Sequence, residues 1–413
     1  MNFFTYRENE LTAEDIPLLR LAREVGTPAY IYSRKTLAHH FRVFDDAFGE
    51  LPHLICFAMK ANSNLSILSL FISMGAGVDI VSGGELFRAL KVGVDPAKVV
   101  YSGVGKTQEE IRQALDADVL MFNVESFQEL VVIDEIAREM KKTARISVRV
   151  NPDVDPRTHP KISTGLKDNK FGIDIRKVVS DYEEARRLKN IEVVGVDCHI
   201  GSQVTELEPF VDALGRIKEL VLTLRDRGFD IRYLDFGGGL GITYRDEDPP
   251  DPSSYGKAIK EVAGDLGVTF VLEPGRVLVG NAGILLTRVL YTKEADKNFV
   301  IVDAGMNDLA RPAVYDSYHG VLPVIRRDGP AVTADVVGPI CESSDYLAKD
   351  RRLVGVKRGD LIAVMSAGAY GFSMSSNYNS RPRATEVLVD GESYRVIRQR
   401  ERYEDLIRGE ILT

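Results

Sequence analysis

The chain has 413 residues, more than one ordinary hydrophobic core organises, so two domains are expected. Hydrophobic residues make up 44% and charged residues 28%, as in globular enzymes, and a formal net charge of −8 without basic blocks argues against nucleic acid or an anionic membrane as partner. The start, MNFFTYRE, lacks a secretory pattern, no apolar run approaches bilayer length, and Cys56, Cys198 and Cys341 have neither disulfide nor zinc-site spacing, so a cytoplasmic protein without a metal is expected.

Short apolar runs recur at 54–58, 78–81, 99–101, 119–122, 146–150, 193–198, 231–236 and 269–272. Between them, 66–74, 84–91, 107–115, 126–141, 179–188, 208–228 and 255–267 have the charge distribution and apolar spacing of helices. Strands alternating with helices in this way predict a (β/α)8 barrel of the TIM type, and the span fits its usual size of about 250 residues. An open doubly wound sheet is the alternative, because strand count does not show closure.

After residue 276 the texture changes. Segments 277–279, 284–290, 299–302, 332–337, 361–364 and 386–389 read as strands divided by Gly, Pro and Asp turns, which predicts a mostly β domain. The expected division is a segment 1–24 packing with that domain, a barrel over 25–275 and the β domain over 276–413. One connection, 151–172, is long, polar and broken by prolines; it reads as a cover over the barrel mouth or as disordered chain.

Barrel chemistry sits at the C-terminal strand ends. There the chain places Lys60, Asp79 with Ser82, Ser102, Asn123, Arg149 with Asn151, His199, Gly237-Gly238-Gly239 and Glu273. Each alone has an ordinary explanation; their shared address is the signal. Lys60 follows an apolar run, and Ala61-Asn62-Ser63-Asn64 after it reads as the opening of a helix. Burial disfavours the charged amine and makes it a better nucleophile, as pyridoxal phosphate (PLP) chemistry requires. A lysine snorkelling at the barrel rim is the alternative.

The glycine triplet follows the seventh strand. It can admit a phosphate to backbone N–H groups, helped by a following helix N-terminus, or simply make a tight barrel turn. Glu273 can pair with a protonated pyridine nitrogen, or form a salt bridge with Arg276 or another base at the barrel rim, and His199 can stack on a flat cofactor or be structural. Cys341 lies beside Glu342 in a polar segment and can serve as an acid, whereas Cys56 and Cys198 lie in apolar runs and read as packing residues. Segments 367–371 and 377–382 are polar-aromatic, suited to a site, an interface or plain turns.

Taken together, FAMKAN at 57–62, HIGSQ at 199–203, GGGLGI at 237–242 and EPGR at 273–276 resemble the alanine-racemase-like, fold type III group of PLP enzymes. HPKISTGLKDNKFGI at 159–173, DAGMNDLARPAVYDSYH at 303–319, GPICESSDYLAKDR at 338–351 and GAYGFSMSSNYNSRPR at 368–383 resemble its diaminopimelate decarboxylase branch. The resemblance covers most of the chain. Ala310 and Ala384 depart from the usual pattern without touching the proposed chemistry.

The resemblance implies that Lys60 carries PLP, Glu273 binds the pyridine nitrogen, His199 stacks on the ring, and Asp79 and Arg149 lie beside the cofactor. Ser202, Gly239 with Gly238 before it, and the backbone around Gly275 and Arg276 would hold the phosphate. Arg276, Arg311 and Tyr315 would clamp the substrate's distal carboxylate, Glu342 its distal ammonium, and Tyr370 would lie near cofactor and substrate. Cys341 would be the proton donor. In the family Cys341 and Glu342 reach the site from the partner subunit, which implies a homodimer with two shared sites.

The implied reaction is decarboxylation of meso-diaminopimelate to L-lysine and CO2. A distal amino acid group needs both charge types, which Arg311 and Glu342 supply, and a planar guanidinium can bind a carboxylate bidentately. A decarboxylase for ornithine, arginine or carboxynorspermidine is the nearest rival and calls for an acidic distal pocket. An amino-acid racemase needs an opposing base in place of a thiol acid, and a non-catalytic PLP-binding protein resembles the barrel alone.

Overall fold

The computed structural model describes residues 1–156, 158, 170–294 and 296–413. They form two compact units, one of Phe41–Ile242 and Asp248–Val277, the other of Met1–His40, Thr243–Glu247 and Leu278–Thr413.

The first unit is a closed barrel of eight parallel strands: His53–Ala58, Gly77–Ile80, Val99–Tyr101, Met121–Val124, Ala144–Asn151, Ile191–Asp197, Tyr233–Asp235 and Thr269–Leu272. Each pairs with the next, and the eighth returns to the first through Phe270–His53 and Leu272–Ile55. Closure excludes the open-sheet alternative. The strands read as continuous apolar runs because barrel strands are covered on both faces. Cys56, Val100, Met121, Val194 and Val271 belong to one buried apolar cluster, which makes Cys56 a packing residue.

The barrel helices start on side-chain caps where orphan N–H groups need acceptors. Ser82 accepts from the Glu85 N–H, Ser126 from Glu129, and Thr107 with Glu110 forms a capping box. Ser82, read from sequence as a group at the mouth, is therefore a helix cap. The helix expected from residue 61 begins only at Leu65, capped by Asn64. Lys60 instead occupies a single 3-10 turn, Met59–Ala61, after which Asn62 returns to extended backbone.

The second unit is built on a mixed sheet in the order Tyr346–Val354, Ala331–Val337, Asn298–Val302, Gly283–Lys293, Ala29–Ser33, Thr385–Asp390, Ser393–Arg398, with Leu361–Val364 joining Gly283–Lys293 to Val321–Pro323. A small antiparallel sheet of Phe4–Arg7, Glu10–Ala13 and Ile16–Pro17 accompanies it. One apolar core joins Leu11, Ile16 and Leu21 to Ile31, Leu286, Ala363 and Val387.

Two expectations fail here. Segment 277–279 lies in a short helix, Arg276–Val279, not a strand. Ala29–Ser33 pairs with Gly283–Lys293 and Thr385–Asp390, so the barrel unit begins at Phe41 rather than at residue 25. The run AYIYS is buried throughout, and nothing local tells it which sheet to join. Of the connection 151–172, residues 157 and 159–169 lie outside the described residues, and with them most of the motif at 159–173. No helix among the described residues is long and apolar enough to cross a membrane.

Candidate active site

The C-terminal ends of the barrel strands carry an unusual density of buried charge. Lys60 Nζ lies 2.7 Å from Asp79 Oδ2, with the lysine side chain 36% exposed and the aspartate fully buried. Lys60 is thus one half of an ion pair, which corrects the expectation of a simply desolvated amine. The other Asp79 oxygen is buried and has no hydrogen-bond partner among the described residues. Across the mouth Arg149 Nη1 lies 2.7 Å from Glu125 Oε1 and its Nε 3.9 Å from Asp197 Oδ2, and its guanidinium stacks on Phe171.

Glu273, Asp235 and Asp197 crowd the same end. Burial, then the negative charge of Asp79, pushes the Glu273 carboxyl up to about 7, against the pull of Lys60 and Arg149. Burial also raises Asp235 and Asp197 well above the usual carboxylate range; Glu273 adds to both, while Arg149 opposes the rise at Asp197. One amide organises this crowd. Asn123 Nδ2 donates to Asp235 Oδ2 at 2.9 Å and lies 3.1 Å from Ser102 Oγ, which donates to Glu273 Oε1 at 3.2 Å. Ser147 donates to the Asn123 carbonyl, which fixes the amide's orientation. Ser102 and Asn123 both bond Glu273, while Arg276 donates to Ser202 Oγ at 2.9 Å.

His199 takes a defined form. The Gly238 N–H donates to its Nδ1 at 3.2 Å, so that nitrogen holds a lone pair. Burial, helped by the positive charges of Arg149 and Lys60, keeps the imidazole well below its ordinary protonation range, so it is neutral with its proton on Nε2. The glycine triplet permits this approach. A Cβ on Gly237 would lie 2.7 Å from His199 Nδ1, one on Gly238 2.3 Å from the Glu273 carbonyl and one on Gly239 2.4 Å from the Gly201 carbonyl. Close strand-end packing therefore demands these glycines by itself. The helix expected to lend its dipole is missing behind them, since the next begins at Pro252.

The barrel unit thus brings together Lys60, Asp79, Arg149, His199, Ser202, Gly238, Gly239, Glu273, Gly275 and Arg276. Gly275 packs its backbone against Ala58 and Ala61, directly under the Lys60 turn. Sequence reading did not give Asp197, Asp235 or Glu125 a part, although each is a lone acid closing or following an apolar strand, and that was the available signal.

The second unit carries the other candidates. Arg311 opens a short helix, Arg311–Tyr315, that ends in Tyr315; Arg311 is buried and Tyr315 half-buried. Cys341 and Glu342 are exposed on the loop between Ala331–Val337 and Tyr346–Val354. That loop is braced from within: the Cys341 N–H donates to Asn379 Oδ1 at 2.7 Å, and the buried Asp345 carboxylate accepts from the Met306 and Ile340 N–H groups, each at 2.6 Å. Tyr370, half-buried, holds a left-handed backbone at φ 55°.

Residues 34–280 match the family model of the pyridoxal-dependent decarboxylases' pyridoxal-binding domain. The chain is 55% identical to a diaminopimelate decarboxylase of Pseudomonas aeruginosa, over 100% of this chain and 99% of that one, and 50% identical to one of Aquifex aeolicus, over 98% and 96%. Its fold is similar to the crystal structure of the Helicobacter pylori diaminopimelate decarboxylase complexed with L-lysine, with a TM-score of 0.92 at 44% identity over 95% of this chain and 98% of that one. The corresponding enzyme of M. jannaschii in co-complex with L-lysine gives 0.95 at 38% identity, over 99% and 98%. With full-length identity of this order and the strand-end lysine in place, the chain belongs to the diaminopimelate decarboxylase family of pyridoxal-dependent enzymes.

Proposed function

We infer that this protein is a carboxy-lyase that converts meso-2,6-diaminopimelate to L-lysine and CO2, the last step of lysine biosynthesis, with PLP as its cofactor. The observation that carries this reading is the barrel end itself, where an ion-paired lysine, a neutral histidine and a carboxyl poised near neutrality meet in a chain that matches diaminopimelate decarboxylases along its whole length. These residues fit PLP. The buried Asp79 oxygen without a partner and the raised Glu273 carboxyl are what a site lacking a cationic ring would leave behind.

When bound, PLP supplies an electron sink that lets the bond between Cα and the carboxylate break. The chain's residues do the rest. Lys60 is the attachment point, and Asp79 holds its amine in place. Glu273, its carboxyl raised to about 7, would bind the ring nitrogen and could hold a proton there. His199 is neutral, so its face can stack on a flat ring without adding charge. Ser202, Arg276 and the backbone at Gly238, Gly239 and Gly275 serve the phosphate, while Arg149, held by Glu125 and Asp197, stays beside the cofactor.

Specificity is read at the substrate's far end. Arg276, Arg311 and Tyr315 bind the distal carboxylate and Glu342 the distal ammonium, with Tyr370 beside cofactor and substrate. Cys341 delivers the proton that replaces the lost carboxylate at Cα, so the product leaves as lysine. Cys341 and Glu342 act in the partner's site of a cytoplasmic homodimer with shared active sites. The net charge of −8 without basic blocks argues against nucleic acid as a partner.

The test is CO2 release by PLP-loaded protein from meso-diaminopimelate, with ornithine, arginine and lysine in parallel. Release from diaminopimelate alone, with lysine in equal amount, is expected; release mainly from ornithine or arginine would overturn the distal assignment. Arg311→Ala should then lower kcat/KM by about 2–5 kcal/mol in free energy, the scale of leaving a desolvated charge unpaired. An unchanged kcat/KM in that variant would remove Arg311 from the site.

A further inference from the structure

One histidine of the second unit lies outside the chemistry assigned above, yet it is the one that holds Arg311. His319 is fully buried, and its Nε2 lies 2.9 Å from Arg311 Nη1. A guanidinium nitrogen only donates, so Nε2 must offer its lone pair. The other ring nitrogen, Nδ1, lies 2.8 Å from the Met365 carbonyl oxygen, an acceptor, so Nδ1 must carry the proton. The two contacts together admit only a neutral imidazole in the Nδ1–H tautomer. A proton on Nε2 would set two donors and two positive charges against each other.

The surroundings keep this pair in register. The Tyr244 ring lies under the Arg311 guanidinium at 4.6 Å and meets the His319 ring edge-on at 5.4 Å. Tyr244 is itself pinned, since its N–H donates to Glu247 at 2.9 Å. On the backbone side, Arg351 donates to the His319 carbonyl at 3.4 Å while stacking on Tyr318. Tyr244 thus meets Arg311 on its flat face and His319 meets it at Nη1. The acceptor at this nitrogen is informative: a neutral imidazole orients a guanidinium without adding a charge of its own.

We propose that His319, as the neutral Nδ1–H tautomer, is the positioning residue that aims the Arg311 guanidinium at the distal carboxylate of the substrate, with Tyr244 as the stacking platform. This rests on the reading of Arg311 as a carboxylate-binding residue. It assigns His319 a role in substrate affinity and none in the bond-breaking step.

The experiment compares the PLP-loaded wild type with His319→Leu and His319→Gln on meso-diaminopimelate, together with 15N spectra of histidine-labelled protein. His319→Leu should raise KM roughly tenfold, the worth of one hydrogen bond to a charged group, with kcat within about twofold. His319→Gln keeps an acceptor for Arg311 and should return KM to within about threefold of wild type. One of the 6 histidines should show a protonated Nδ1 and a bare Nε2, and that signal should vanish in His319→Gln. A His319 signal with its proton on Nε2 overturns the proposal without reference to any variant's folding. Unchanged KM in His319→Leu, or a fall in kcat at constant KM, overturns it while leaving the decarboxylase reading intact. A wild type that releases no CO2 from diaminopimelate overturns that reading, and this inference with it.

Discussion

The barrel end and the Cys341 loop both carry proton chemistry in the proposed function, and they are built in opposite ways. At the barrel end the acids are buried and tied to one another through Asn123 and Ser102, and burial with mutual repulsion raises their proton affinity. On the loop, Cys341 and Glu342 are exposed, and what is buried is the bracing residue Asp345. In the first region the folded chain alone perturbs the functional groups. In the second, the fold fixes where the backbone goes and leaves both side chains exposed on the subunit's own surface, free to serve the partner's site in the proposed dimer. Stability and function should therefore be coupled in the barrel and separable in the loop.

The largest effect tests the barrel half. Lys60→Ala should abolish decarboxylation, by roughly 10³-fold or more as for loss of a covalent or acid–base group, and should remove the visible absorbance of bound PLP. Retained absorbance with retained turnover would break the assignment. Next, Cys341→Ala should lower kcat by about 10²-fold as for loss of a general acid, yet leave the unfolding free energy within about 0.5 kcal/mol, as for an exposed residue. If denaturant unfolding showed a large loss of stability, the loop would be structural and the contrast would collapse.

Asn123→Ala sharpens the other side. It leaves Asp235 and Ser102 without their shared donor in a buried setting, which should lower stability by about 1–3 kcal/mol and impair activity as well. Full activity with lowered stability would mean that the network supports the barrel and not the site.

How much of this was legible in sequence follows the same divide. All eight barrel strands were readable within a few residues, because strands covered on both faces are continuous apolar runs. Both edge strands of the second sheet went unread. Tyr346–Val354 carries Lys349, Asp350, Arg351 and Arg352, and Ser393–Arg398 is largely exposed, so neither has the apolar signature of a covered strand. Ala29–Ser33 was apolar enough to be a strand, but its partners lie some 250 and 350 residues away in sequence. In the site, Lys60, Asp79, Arg149, His199 and Glu273 were visible as polar breaks at strand ends. Ser102 and Asn123 were visible there too, but the place of Asn123 at the centre of the network, like the His319–Tyr244 support of Arg311, depends on which atoms meet in space, which spacing along the chain does not encode.

The smallest effect is also the most direct reading of the barrel's electrostatics. Glu273 holds its proton up to about 7 in the folded chain against an ordinary value of 4.5. Between those two pH values the folded state binds more protons than the unfolded one, so the cofactor-free protein must lose stability as pH rises through that window. Asp235 and Asp197, raised by the same burial, act in the same direction. Glu273→Gln removes one ionisable member and keeps a side chain of similar size. Its unfolding free energy should fall less steeply across the window, by on the order of 1–3 kcal/mol, with denaturant unfolding of the cofactor-free protein at a series of pH values as the measurement. An identical slope in the variant would show that Glu273 is already ionised in the cofactor-free barrel. The buried acids would then owe their stability to Lys60 and Arg149, and the barrel would be organised by ion pairing rather than by a retained proton.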